Sequence, residues 1–179
     1  PLAIGANYAL PLQIIGASTD SILQDKHYSI VVVKYFNQYH GWYYTKGEDN
    51  TLDGSNNPIE NEKFTYSFSD VVSNSDILFE TTSKNTLTGT YDNVKSSDEG
   101  SGDTRGNFEI TLEINSDNSV VVSGDDNGGV TNINGTGSYD PNTRNFTIEY
   151  NYTDGDAAIH AVTEELIYRN TELEIETWL

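Results

Sequence analysis

The sequence predicts an all-β protein, an antiparallel up-and-down meander that closes into a barrel. Three observations predict it. Residues 107–115 read Asn-Phe-Glu-Ile-Thr-Leu-Glu-Ile-Asn, with Phe108, Ile110, Leu112 and Ile114 apolar and polar residues between them. Phe146, Ile148, Tyr150 and Tyr152 repeat the pattern around Thr147, Glu149 and Asn151. Successive side chains of a strand point to opposite faces, so both stretches describe a sheet with one dry and one wet face. Second, about ten short segments of this kind recur at roughly 8–12-residue spacing, which marks a sandwich or barrel. Third, no stretch carries a 3.6-residue apolar stripe. Asp156–Tyr168 comes nearest, but Val162-Thr163 and its neighbours favour a strand. Closure into a barrel removes the exposed edges that an open sheet must protect.

The elements follow in order. Tyr8–Ile15 is a strand, and Pro11, which cannot donate a ladder hydrogen bond, places it at an edge. His27–Phe36 is a second strand, with Tyr28, Ile30 and Val32 on one face and Val31 and Val33 on the other, as for a strand covered on both sides. Asn37–Tyr44 starts the main sheet. Lys46–Lys63 reads as a long polar loop punctuated by Gly47, Gly54, Asn56, Asn57 and Pro58. Phe64, Tyr66 and Phe68 alternate with polar residues, and Ile77–Thr82 and Thr86–Tyr91 are short strands. Val94–Gly106 is a second soft loop. Phe108–Ile114 turns at Ser116-Asp117-Asn118 into Val120–Val122, and the loop Gly124–Gly129 follows. Gly135–Tyr139 turns at Asp140-Pro141-Asn142 into Phe146–Tyr152. Thr153–Asp156 turns into Ile159–Arg169, and Leu173, Ile175 and Leu179 outline a last strand.

Composition narrows the function classes. A chain of 179 residues can bury a real core without staples, and 12 Tyr and 6 Phe supply bulk for it. The formal charge is −19, from 28 acidic against 9 basic residues. Such a surface repels phosphate backbones and anionic headgroups, which argues against nucleic-acid and membrane-surface partners. There is no cysteine, so disulfides, thiolate catalysis and zinc–thiolate sites are excluded. No apolar run approaches the ~20 residues of a membrane helix. The chain opens at Pro1 in mid-pattern, as a mature or excised product does.

No catalytic constellation stands out, and the sequence predicts neither an enzyme nor a cofactor. Asp125, Asp126 and Asn127 crowd one turn, Asp98, Glu99 and Asp103 another, and Asp154 and Asp156 flank Gly155. Calcium takes 6–8 oxygen ligands, yet no run matches a full calcium loop, and Asp, Asn and Gly favour turns for conformational reasons alone. Glycoside hydrolysis needs two acids facing across a sugar at roughly 5–10 Å. Glu164-Glu165 and Asp125-Asp126 are adjacent, so on a regular strand their side chains diverge. His27, His40 and His160 are scattered, and no Gly-x-Ser-x-Gly elbow is present. Asn134-Gly-Thr136, Asn145-Phe-Thr147 and Asn151-Tyr-Thr153 match the glycosylation pattern but arise freely in an Asn- and Thr-rich chain. Aromatic residues are the better lead, because sugar C–H faces stack on Tyr and Trp while polar side chains bind hydroxyls. Tyr39, Trp42, Tyr43 and Tyr44 cluster before the first long loop. Trp178 shares its strand face with Glu172, Glu174 and Glu176. The candidate ligand-binding residues are Tyr43, Tyr44 and Trp178.

Four stretches resemble a known family. Asn7–Ile14 (Asn-Tyr-Ala-Leu-Pro-Leu-Gln-Ile) resembles the last strand of the small Ig-like domain in uncharacterised surface lipoproteins of gut Bacteroidetes. His27–Tyr44, with its Asn37-Gln38-Tyr39-His40-Gly41 turn, resembles the crossover into their second domain. Gly135–Tyr150 and Thr163–Arg169 resemble that domain's C-terminal part. The resemblance implies a lipocalin-like barrel over residues 27–179, preceded by a remnant strand and linker of an Ig-like domain at 1–26. It also implies that Gly41-Trp42 and Arg169 form the stacked cation pair of such barrels. Lipid anchoring at the extracellular face of the outer membrane, or a periplasmic site, is implied for the full-length precursor, although no lipid-accepting Cys is present. The function expected on this basis is a non-enzymatic, cell-surface glycan-binding module of a polysaccharide-utilisation system. Its partner is carbohydrate, with no direct membrane insertion. A structural spacer without a small ligand, and a glycoside hydrolase, are the alternatives.

Overall fold

A computed structural model describes residues 8–18, 22, 27–98, 104–124 and 129–171. Eleven strands account for the regular structure among them: β1 (Tyr8–Gln13), β2 (Tyr28–Val33), β3 (Gly41–Leu52), β4 (Pro58–Tyr66), β5 (Asp76–Thr81), β6 (Thr86–Tyr91), β7 (Phe108–Ile114), β8 (Ser119–Ser123), β9 (Thr131–Tyr139), β10 (Phe146–Thr153) and β11 (Ile159–Asn170). A single 3₁₀ turn, Val71–Ser73, is the only helical element among the described residues, and no helix there is long and apolar enough to cross a membrane.

Strands β3 and β5–β11 pair antiparallel in chain order, and β11 returns to β3, closing an eight-stranded up-and-down barrel. The closing seam is long, running from Ile159 opposite Leu52 to Tyr168 opposite Tyr43. The alternation read from the sequence is realised: Phe108, Ile110, Phe146 and Ile148 are 0–3% exposed. They meet Tyr43, Phe79, Leu87, Leu112 and Leu166 in one core. The turn foreseen at Ser116-Asp117-Asn118 is present, with Asn118 in the left-handed region (φ 67°) and the Asp117 carboxylate accepting the Ser119 N–H. The chain at Arg144, also left-handed at φ 64°, closes the Asp140 turn the same way.

The stretch expected to be a loop, Lys46–Lys63, is instead a hairpin. β3 continues through it to Leu52, a five-residue turn follows, and β4 begins at Pro58. The polarity that reads as a loop belongs to a strand whose outer face meets water. The Asp53 carboxylate fastens the turn by accepting the N–H groups of Ser55 and Asn57. One edge of β3 is therefore shared. Gly41–Tyr44 pairs with β5, and beyond Gly47 the same edge pairs with β4. The handover is made by residues 67–75, pinned by the buried Asn74, whose side chain bonds the backbone of Phe68, Asp70 and Val71. β4 thus lies outside the ring, and the barrel is splayed at that end.

β1 and β2 pair with each other in a separate two-stranded ribbon. Among the described residues the covering expected on both faces of β2 is not found: Tyr28, Ile30 and Val32 are more than 60% exposed, and Leu10, Leu12 and Ile14 of the β1 side are also exposed. The expected last strand at Leu173–Leu179 lies outside the described residues.

Phe146 sits at 0% exposure between Tyr43, Tyr39 and Tyr139. Replacing it with Ala removes the ring and leaves a cavity, so urea denaturation of Phe146→Ala is expected to show a loss of about 3–5 kcal/mol.

Candidate functional site

The splayed end of the barrel holds the site. A cavity of about 400 Å³ opens there between β3, β4, the segment before β7, the start of β9 and the β10–β11 turn. Its floor is Arg105, Asp49, Phe108 and Tyr152, all buried, and its rim carries Thr51, Glu62, Phe64, Asp154 and Gly155.

Arg105 is the centre of the floor. It lies in the irregular stretch between the Lys95–Thr104 bridge and β7, and its N–H donates to the Val94 carbonyl at 2.9 Å. From there its side chain drops into the barrel and is 5% exposed. The guanidinium is ringed by Phe108 (4.6 Å), Tyr91 (4.9 Å), Tyr66 (5.3 Å), Tyr150 and Tyr152 (both 5.7 Å). Cations over aromatic faces are attracted by the ring quadrupole, and more so where water is excluded. Nη1 donates to the Tyr66 hydroxyl at 2.9 Å, Nη2 donates to the Tyr150 hydroxyl, and Nε faces Asp49 Oδ2 at 3.4 Å.

Two carboxylates share this cation. Asp49 projects from the inward face of β3, and Glu164 from the inward face of β11 between Val162 and Leu166. Glu164 Oε2 accepts the hydroxyls of Tyr91 (2.7 Å) and Tyr150 (3.2 Å). Burial raises the Glu164 pKa, and the opposing pull of Arg105 and the tyrosine hydroxyls does not cancel it. Its second oxygen accepts no hydrogen bond. Burial also drives the pKa values of Tyr66, Tyr91 and Tyr150 well up, so these hydroxyls stay protonated and donate. The close approach of β3 to β11 depends on Gly47, where a Cβ would strike the Thr163 carbonyl and the Tyr66 hydroxyl.

His160 links floor to rim. It stands opposite Tyr152 across the β10–β11 pair, its ring stacked on that tyrosine at 4.5 Å and 4°. Nδ1 meets Asp49 Oδ1 at 2.9 Å and Nε2 meets Asp154 Oδ2 at 3.3 Å. Both ring nitrogens face carboxylates, and only the imidazolium can donate to both. Burial alone lowers the His160 pKa, but the hydrogen bonds and charges of Asp49 and then Asp154 outweigh it and raise the pKa above its ordinary value. The other Asp154 oxygen accepts the N–H groups of Asp156 and Ala158, which fixes the turn bordering the mouth. Tyr152 completes the set by donating to Asp49 Oδ2 at 2.6 Å.

The predicted site residues are not gathered here. Tyr43 is fully buried toward the barrel's other half, packed on Phe79, Phe146 and Tyr168, and its hydroxyl donates to the Tyr39 carbonyl at 2.5 Å. Its ring has no free face for a sugar, because the odd-numbered phase of β3 is the inward one. Tyr44 takes the opposite phase and is half-buried on the outer wall, with the Arg169 guanidinium 5.8 Å from its ring. Arg169 also pairs with Asp76 at 2.5 Å, so this stack forms with Tyr44 in place of the expected Trp42. Trp178 lies outside the described residues. So do Asp125, Asp126, Asn127, Glu99 and Asp103 of the acidic turns. Among the described residues, no group of three or more acidic, His or Cys side chains is placed to hold a metal ion.

The two polar segments Lys46–Lys63 and Val94–Gly106 meet at the mouth, with Asp49, Thr51 and Glu62 from one and Arg105 and Gly106 from the other. Glu164 had a legible signal, an acid in phase with Val162 and Leu166. Arg105 had none, since it lies on no strand.

A family model described as "-like, C-terminal" matches residues 27–167. The chain belongs to that family of C-terminal domains. A crystal structure from Bacteroides ovatus at 2.40 Å, described as structural genomics of unknown function, is similar in fold, with a TM-score of 0.68 at 17% identity. The alignment covers 94% of this chain and 60% of that one, so the chain spans about three-fifths of its neighbour's length. No curated protein matches the chain.

Two outcomes are expected. Arg105→Met leaves Asp49 and Glu164 without their cation and costs about 3–5 kcal/mol in urea denaturation, whereas adding Asp49→Asn and Glu164→Gln restores most of it. The raised His160 pKa contributes stability that is complete below its ordinary 6.5 and is lost as pH rises through the folded value. Glu164, also raised, acts with the same sign from its ordinary 4.5 upward. Calorimetry should therefore show Tm falling as pH rises above His160's ordinary 6.5, with a shallower fall in His160→Asn.

Proposed function

We propose that this chain is a non-enzymatic binding module whose ligand is carbohydrate, taken in the splayed mouth of the barrel. The observation that carries the reading is a preformed, 400 Å³ aromatic-walled cavity whose polar groups are held in place by their own hydrogen bonds. Ligand pockets are concave, mostly apolar, roughly 300–1,000 Å³, and carry a few fixed polar groups. Phe64 at the rim offers an apolar face for a sugar ring. Glu62, Asp154 and Thr51 offer acceptors for its hydroxyls. The net charge of −19 disfavours sulfated or acidic sugars, and nucleic acid, as partners.

Binding without hydrolysis is favoured by the placement of the inward acids. Glu164 is 1% exposed beneath Arg105 and two tyrosines, and Asp49 is engaged by Tyr152, His160 and Arg105. A glycosidase needs two acids that a sugar can reach from both sides. The spacer reading has one observation in its favour, a barrel interior filled by its own side chains below the mouth. A surface location, outside the outer membrane or in the periplasm, is the setting that the family resemblance implies.

A neutral-glycan array followed by calorimetry tests the proposal. Phe64→Ala and Glu62→Gln are expected to weaken any hit by tenfold or more, while Trp42→Ala on the outer wall leaves it unchanged. An array without hits favours the spacer, and hits indifferent to the mouth substitutions overturn the mouth as the binding site.

A further inference from the structure

We infer that a proton on His160 is a latch on the mouth of the barrel: while the ring holds it, the imidazolium ties the β10–β11 turn to the floor, and when the ring loses it, Asp154 lets go and that wall of the cavity moves. The latch sets the shape of the cavity and is independent of what fills it. The geometry is an imidazole between two carboxylates. Nδ1 faces Asp49 Oδ1 at 2.9 Å and Nε2 faces Asp154 Oδ2 at 3.3 Å. An ionised carboxylate accepts and does not donate, so both contacts are hydrogen bonds only while both nitrogens carry hydrogen. The neutral ring has one N–H, and its other nitrogen turns a lone pair on a carboxylate.

The two contacts differ in what can replace them. The Asp49 side chain is 3% exposed, accepts the Tyr152 hydroxyl at 2.6 Å and lies 3.4 Å from Arg105 Nε. Water has no access to take the place of His160 there, and a buried carboxylate that loses a donor is costly. The Asp154 side chain is 33% exposed, and water can replace the ring. The neutral ring therefore keeps its hydrogen on Nδ1, toward Asp49, and the contact that breaks is the one to Asp154. The turn does not unravel with it. Asp154 Oδ1 accepts the N–H groups of Asp156 and Ala158, and the Asp154 N–H donates to the Ala158 carbonyl, so residues 154–158 move as a unit. Asp154 and Gly155 line the cavity, so that unit is part of its wall.

The charges around the ring favour the latched state. Among the described residues, Asp49 of β3 and Asp154 of the turn face the ring, Tyr152 of β10 stacks on it, and Thr51 of β3 stands opposite it. Glu62 of β4 and Arg105 of the segment before β7 line the same cavity. Arg105 is the cation among these that opposes the proton, and it is paired with the other oxygen of Asp49. Burial alone would lower the His160 pKa, but Asp49 and then Asp154 carry it above 6.5. The latch is therefore closed below 6.5 and opens as pH rises through the folded value. His40, at the barrel's other end, is the opposite case. Its Nδ1 accepts the Thr81 N–H at 3.3 Å, so the ring sits there neutral, and burial and then Lys34 hold its pKa down against Glu80.

Nuclear magnetic resonance of the nitrogen-15-labelled 179-residue chain, titrated from about pH 5 to about pH 9, tests the latch. The His160 ring is expected to titrate with a midpoint above 6.5, and the backbone amides of Gly155, Asp156 and Ala158 to shift with that same midpoint. The core amides of Ile110, Ile148 and Leu166 stay still, and His40 titrates below 6.5 as an internal control. In Asp154→Asn the side-chain amide can donate to the unprotonated Nε2. The turn then stays tied above 6.5, its amides lose their shift, and the His160 midpoint falls by about one pH unit. A through-space effect of the ring charge without movement would persist in that variant, and unchanged core amides show that it folds. A His160 midpoint at or below 6.5, turn amides that stay still as His160 titrates, or a turn that shifts as strongly in Asp154→Asn as in the parent chain each overturn the latch.

Discussion

One buried cation organises the splayed half of this barrel. Burying Arg105 among five aromatic rings would be prohibitively costly without counter-charge. Asp49 supplies it directly, and Glu164, on the strand adjacent at the closing seam, adds to it from behind the Tyr91 and Tyr150 hydroxyls. The arrangement is reciprocal, because each carboxylate would be equally costly without the guanidinium. Every other feature of the mouth hangs from this set: Tyr66, Tyr91 and Tyr150 are oriented by it, Tyr152 and His160 are aligned through Asp49, and the β10–β11 turn is set through Asp154.

The two ends of the barrel consequently differ in kind. Around Tyr43, Phe79 and Phe146 the interior is a conventional apolar core with edge-to-face rings. Around Arg105 it is a polar cluster that fixes geometry more than it adds stability, since a well-packed apolar substitute is often as stable. A site that must hold a cavity open against collapse is better served by directional hydrogen bonds than by side chains free to relax inward. That contrast explains why an acidic chain keeps a buried arginine at all.

Much of the fold was legible because strand alternation is a local signal. Phe108–Ile114 and Phe146–Tyr152 announce their faces, and Ser116-Asp117-Asn118 and Asp140-Pro141-Asn142 announce their turns. The β3–β4 hairpin was hidden, because outward polar residues from Lys46 to Lys63 resemble a loop and the other partner of β3, β11, is more than a hundred residues away. The site was mostly hidden for a related reason. Asp49, Arg105, Asp154 and His160 carry no common spacing, and barrel closure alone brings them together. Aromatic residues adjacent in sequence, such as Tyr43 and Tyr44, were bound to be separated by the pleat, one into the core and one onto the outer wall.

The seam between β3 and β11 has a kinetic consequence. Its contacts join residues separated by most of the chain, as Leu52 and Ile159 do. Loop-closure entropy must be met before such contacts give anything back, so chains of this topology assemble slowly. Asp49 lies on the first barrel strand, His160 on the last, and Arg105 between them, so a nascent or truncated chain without β11 lacks His160 and cannot assemble the constellation. The Asp49–Arg105–His160 constellation is thus an all-or-none product of the finished ring, and no partial fold can imitate it.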